Sequence, residues 1–216
     1  MKNLRSNKGF TLVELAIVLV IIGIILGAVL KGQELINNAK VKRLQNDLKG
    51  IEAAMWTYYD RAGRMTGDCN RNGVIGYALG TGASGTGLAY SNNANPTVDY
   101  CATAATTEGV NQPWSDMRVQ RVLSYATPNA NLARHNFNDN FAIGSIASGG
   151  VNYNAIVIYG IPAWAAKMID VSIDGAADGT AGRVRNFTTT ATGSGWPGDA
   201  NNDQVVSLIY FFDRIP

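Results

Sequence analysis

The chain opens with two stretches of different hydrophobic patterning. From Phe10 to Leu30, FTLVELAIVLVIIGIILGAVL, almost every position is apolar and Glu14 is the single ionisable side chain. The run has the ~20 residues that a helix needs to cross the hydrocarbon core of a bilayer. Beyond it, KGQELINNAKVKRLQNDLKGIEAAMWTYYDRAG places Val41, Leu44, Leu48, Ile51, Met55 and Tyr58 at alternating steps of three and four, with Lys, Arg, Gln, Asn and Asp between them. That is the period of one helix face laid on a core. No proline occurs before Pro96. The pattern predicts one helix from about Phe10 to Arg61, in lipid or a like environment over its first half and amphipathic over its second.

Residues 63–112, including GTGASGTGLAYSNNANP, have weak periodicity, and 19 of the 24 glycines follow residue 62. Such composition suits turns and exposed connections, so a long loop is predicted, of the kind that often carries function or interfaces. Pro113 leads into WSDMRVQRVLSYA, a predicted short helix. FAIGSIA, YNAIVIYG and VVSLIYFF are rich in β-branched and aromatic residues and bounded by Gly, Asn or Asp, which predicts strands. PAWAAKMID starts with Pro162 in a favoured first-turn position for a helix. The segment IDVSIDGAADGTAGRVRN is too glycine-rich for a helix and reads as a turn-rich loop. The fold class is α+β: a long N-terminal helix packed on a C-terminal, mainly antiparallel sheet, with Trp114 and Trp164 in the core.

Charge orients this plan. Lys2, Arg5 and Lys8 precede the apolar run with no acid among them, which places the N-terminus in the cytoplasm and the bulk of the chain outside. A cleavable secretory signal has a shorter apolar core followed by a small-residue cleavage site, and that punctuation is missing here. The net charge is +2, and −1 without the three cations ahead of Phe10. The remaining basic cluster, Lys40, Lys42 and Arg43, reads as a solvated helix face or as charges near lipid headgroups, so no nucleic-acid partner is expected. Cys69 and Cys101 lie in the exported part, where disulfides persist, and a single bridge between them is inferred. On the chain-entropy view it stabilises by ~3 to 4 kcal/mol.

Candidate chemistry in this part is sparse. DCNRNGVIG offers Asp68, Asn70, Asn72 and Gly73, and DANNDQ offers Asp199, Asn201 and Asp203, alternating oxygens of the type a calcium ion takes. Both depart from the full loop: Leu79 stands at the twelfth position of the first, and Gln204 where the second needs glycine. Asn and Asp also make turns without metal. Asp170, Asp174 and Asp178 hold calcium or solvate an edge. The single histidine, His135, has no GxSxG elbow or recognisable cysteine nucleophile beside it, and two thiols without CxxC spacing make no zinc set. No enzyme is read here, and no cofactor is required beyond a possible calcium ion.

Glu14 is the costly residue. A charge near the centre of a membrane helix costs on the order of 2.5 to 3.5 kcal/mol, and such acids tend to be functional. Four residues inside Phe10, within about 6 Å along the axis, it reaches a headgroup or a partner amine. KGFTLVEL, with the basic leader before it and the apolar run after it, resembles the prepilin signal of type IV pilins and type II secretion pseudopilins. The resemblance covers about the first 55 residues.

It implies a leader at 1–9, cleavage by a prepilin peptidase between Gly9 and Phe10, and N-methylation of Phe10. It implies further a transmembrane and assembly helix at 10–30, its amphipathic continuation at 31–62 and an exported globular domain at 63–216. Glu14 would meet the amine of an adjacent subunit during assembly, since pairing offsets a buried charge's desolvation. Implied partners are further copies, other pilin subunits, an inner-membrane assembly platform and the membrane itself. The implied location is the bacterial inner membrane for the precursor, then a pilus or a periplasmic pseudopilus. The alternatives to a main pilus subunit are a type II secretion pseudopilin or a minor pilin acting as a binding module. Major pseudopilins have a calcium site in the C-terminal region, which points to Asp199, Asn201 and Asp203 ahead of the first loop.

Overall fold

The computed structural model describes residues 10–85, 87–93, 101, 109–189 and 193–216. The predicted long helix is present: α1 runs from Leu12 to Ala62. Two compact units divide at Lys40, the first Met1–Lys40 and the second Val41–Pro216, so the second takes in the amphipathic half of α1. In the first unit every side chain from Phe10 to Leu30 is exposed.

In the second unit α1 buries Val41, Leu44, Leu48, Met55 and Tyr58, five of the six stripe positions, with Ile51 half-buried against the same cluster. After a loop come α2 (Gln112–Val119), α3 (Asn129–Leu132), β1 (Phe141–Ser148), β2 (Val151–Pro162), α4 (Ala163–Asp174), β3 (Val184–Asn186), a 3-10 turn (Asp199–Asn201) and β4 (Val205–Phe211). The four strands form one antiparallel sheet in the order β1-β2-β4-β3. Gly149 and Gly150, both at positive φ, make the two-residue turn between β1 and β2. That is the twist a tight hairpin needs.

Both faces of the sheet are buried. One presents Phe141, Ile143, Ile156, Ile158, Leu208 and Tyr210 to a core shared with the α1 stripe and with Ala166 and Ile169 of α4. The other presents Ala142, Ala155, Val157, Ile209 and Phe211 to a second core that includes Leu79 and the half-buried Tyr77, Leu88 and Tyr90 of the preceding loop. The described part of the Gly- and Asn-rich segment is therefore loop, as its composition predicts, and also a covering layer; residues 86, 94–100 and 102–108 of that prediction lie outside the described residues. Burial on two sides explains why these strands read as nearly continuous apolar runs.

The β2–β4 register shifts between Ile158 and Ile161. Gly160 sits in the shift at φ +66, where a Cβ would stand 2.2 Å from an Asp139 carboxylate oxygen. The extra residue returns Ile161 to the helix-covered face.

Three boundaries differ from expectation. Helix α2 stops at Val119, and Arg121 has a positive φ of 58°, so the backbone turns before VLSYA. Helix α4 runs through Asp174 into the stretch expected to be loop and ends at Gly175 in the left-handed conformation. The glycines follow the helix and cap it instead of interrupting it. Pro162 is the N-cap of α4, not its first-turn residue. Strand β3, three residues inside the same stretch, was not predicted.

The α1 stripe gives a direct test. Leu48→Ala should lower the stability of the second unit by about 2 to 5 kcal/mol, whereas Leu26→Ala, at an exposed position, should leave it unchanged. Denaturant titration of the full chain in detergent, followed by tryptophan fluorescence, reads this unit because Trp56, Trp114, Trp164 and Trp196 all lie in it.

Candidate functional site

The start of α1 is built by Thr11 and Glu14. The Thr11 backbone N–H donates to Glu14 Oε2 at 2.9 Å, and the Glu14 backbone N–H donates to Thr11 Oγ1 at 3.2 Å. The Thr11 hydroxyl also donates to Glu14 Oε2 at 2.8 Å. This reciprocal pair is a capping box, which satisfies two of the backbone donors that a helix N-terminus leaves open. The carboxylate also lies at the positive end of the helix dipole. The signal for it, Thr-x-x-Glu at 11–14, is in the sequence, but charge and hydropathy do not reveal it.

Around this cap the surface is apolar. Phe10 is 90% exposed, and α1 contains a stretch long and apolar enough to cross a membrane. Gly9, the other predicted cleavage residue, lies outside the described residues. The family model for the prokaryotic N-terminal methylation motif matches residues 4–30. The chain carries the signature of type IV pilins and pseudopilins. That match covers the apolar run and the residues just before it and ends before the second unit. Comparison with curated proteins and with solved structures returned no match.

The remaining predicted site residues fall in the second unit. Cys69 and Cys101 are disulfide-bonded, with Cα atoms 4.9 Å apart. Gln112 Nε2 lies 2.7 and 2.9 Å from their sulfurs, and Arg64 bridges Cys101 Sγ and the buried Asp116 carboxylate at 3.0 and 3.1 Å. These contacts tie the loop to α2.

In the first calcium-like stretch, Asp68 accepts the backbone N–H groups of Asn72 and Gly73, Asn70 accepts that of Asn72, and Asn72 accepts that of Val74. Its oxygens build turns. In the second, Asp199 and Asn201 sit on the 3-10 turn, with Asp203 exposed just after it. Lys167 of α4, not singled out from sequence, places its ammonium 3.1 Å from Asp199 Oδ1 and 2.8 Å from Asn202 Oδ1.

Asp170, Asp174 and Asp178 are likewise engaged. Asp170 is fully buried and accepts the Trp196 indole N–H at 2.6 Å and the Gly179 N–H at 3.1 Å. Burial pushes its carboxyl up from the ordinary range. Asp174 accepts the N–H of Val184 at the start of β3, and Asp178 that of Thr180. Among the described residues no three His, Cys, Asp or Glu side chains converge as a metal site.

His135 is buried, with Nε2 2.8 Å from the Tyr159 carbonyl and Nδ1 accepting the Phe137 N–H at 3.2 Å. One nitrogen must donate and the other accept, which is the neutral ring. Burial, opposed by the Tyr159 hydrogen bond and the Asp139 charge, lowers its pKa from 6.5 to about 4.

The unfolded chain binds the His135 proton near pH 6.5 and the folded one only near pH 4, so the stability held above pH 6.5 should fall as pH drops through this window, by on the order of 3 kcal/mol. His135→Gln should flatten that part of the stability profile measured by denaturant titration. At the cap, Thr11→Val should cost about 1 kcal/mol of local helix stability, seen as faster amide exchange at Leu12–Glu14 in detergent with the second unit unaffected.

Proposed function

We propose that this chain is a structural subunit of a type IV pilus-like filament. Prepilin peptidase cuts between Gly9 and Phe10, Phe10 is N-methylated, and the subunit waits in the inner membrane with its second unit outside the cytoplasm. It then assembles through α1 with further copies and other pilins on a membrane platform. The role is structural and requires no enzymatic chemistry and no cofactor.

The observation that carries this reading is one lone carboxylate at the head of an exposed apolar helix, inside the matched methylation motif. A carboxylate has about four acceptor positions, and Thr11 engages only Oε2. Glu14 thus keeps capacity for the methylated amine of a neighbouring subunit while capping its own helix. In the bilayer the cap offsets part of the charge's desolvation; in the filament the amine completes it.

Glu14→Ala should preserve cleavage and membrane insertion and reduce filament yield at least about tenfold, the loss of one charge-assisted contact per subunit. Filaments sheared from cells and quantified by mass spectrometry provide the readout, with the peptide beginning at N-methylated Phe10 as the marker of processing. Normal filament amounts in the mutant would sink the amine pairing. Replacing Gly9 by a bulky residue should leave the precursor uncut, and a mature chain still starting at Phe10 would overturn the cleavage assignment. A dominant methylated peptide identifies a main subunit; a trace, or one confined to the membrane, identifies a pseudopilin or minor subunit.

A further inference from the structure

The second unit has a groove of about 460 Å³ lined by one flank of α1 and by residues of the α2–β1 region. Its apolar wall is Ile51, Leu123, Leu132, Phe141 and the buried Trp114. Its polar lining is planar and mixed: the guanidinium groups of Arg43 and Arg134, the carboxamides of Asn46 and Asn131, and the Asp47 carboxylate. Arg43 is 74% exposed and lies 3.9 Å from Asp47, a loose pairing that leaves its donors open to a ligand, while one Arg134 guanidinium nitrogen donates to Asn138 Oδ1. Two cations against one carboxylate make the lining net positive.

We propose that this groove binds an anionic saccharide, with the sugar carboxylate on the arginine forks and the ring against the apolar wall. The size is that of a small-ligand site. The guanidinium fork matches a carboxylate in two-pronged fashion. Carboxamides and a carboxylate supply both donors and acceptors, which a ring of hydroxyls requires, and the apolar wall takes the C–H face. A simple inorganic anion would have no use for that wall. This inference stands apart from the filament reading, since it uses only groups of the second unit.

The test is retention of the full chain, in non-ionic detergent at fixed salt, on immobilised polygalacturonate and on dextran, a neutral glucan. Wild type should bind the polyuronate at least about tenfold more tightly than dextran. Arg134→Gln should lose about tenfold. Gly50→Leu should lose as much without any change of charge, because Gly50 lines the groove and its absent Cβ faces open space. In a helix interior that exchange favours folding. Lys42→Gln, which removes an exposed cation outside the groove, should bind as wild type. Equal retention on both polymers, no retention on either, or undiminished binding by Gly50→Leu overturns the proposal. Loss in Lys42→Gln equal to that in Arg134→Gln also overturns it, in favour of general surface attraction. If Gly50→Leu abolishes self-association of the chain and leaves polyuronate retention intact, the occupant is a second copy and the saccharide is wrong.

Discussion

The second unit is organised by a sheet that has to be covered on both faces. β2 is flanked by β1 and β4 and buries Ile156 and Ile158 on one side and Ala155 and Val157 on the other. Each face needs an apolar partner, because exposed side chains of this size forfeit the hydrophobic gain of roughly 1.5 to 3 kcal/mol apiece. The amphipathic half of α1, with α4, supplies one cover. A segment with little regular structure supplies the other, through Tyr77, Leu79, Leu88 and Tyr90. The disulfide between Cys69 and Cys101 closes that segment on itself, and Gln112 and the Arg64–Asp116 pair hold it to α2, which matters for a layer with few strand or helix hydrogen bonds of its own.

The same requirement is left unmet in the first unit. From Phe10 to Leu30 the helix has apolar side chains on every side and all of them are exposed. A helix that is hydrophobic all round belongs in lipid or among other helices, and the motif matched at residues 4–30 covers this same apolar run. Within that run Glu14 is the single ionisable side chain. Its capping box with Thr11 supplies hydrogen-bond donors from within the chain, so the charge is not bare.

Much of the polar side-chain chemistry that looks ligand-like is consumed by architecture. Asp68, Asp139, Asp170 and Asp174 each accept backbone N–H groups of loops or strand ends. Asp139 illustrates why: it takes the Gly85 N–H and the Ser84 hydroxyl and lies against Gly160 at the shift in β2, so one carboxylate joins the loop cover to the sheet. An acid spaced as a cation ligand and an acid holding a turn have the same sequence neighbours. The difference lies in which donors the fold brings within 3 Å.

The sequence by itself determined what depends on local period and local chemistry. The six-position stripe from Val41 to Tyr58 specifies a helix face, FAIGSIA and VVSLIYFF specify strands, and KGFTLVEL with its apolar run specifies the N-terminal site, including a capping box whose two members are only three residues apart. Tertiary structure alone decided what depends on distant partners. Asp174 engages Val184 to start β3, too short a strand to show a period. Gly175 ends α4 where a glycine-rich stretch had suggested no helix, because a left-handed residue caps a helix as readily as it breaks one. Lys167 meets Asp199 across 32 residues, and Arg43 of α1 and Arg134, just after α3, line one groove. Periodicity records which way a side chain points along its own element; it carries no information about what stands opposite.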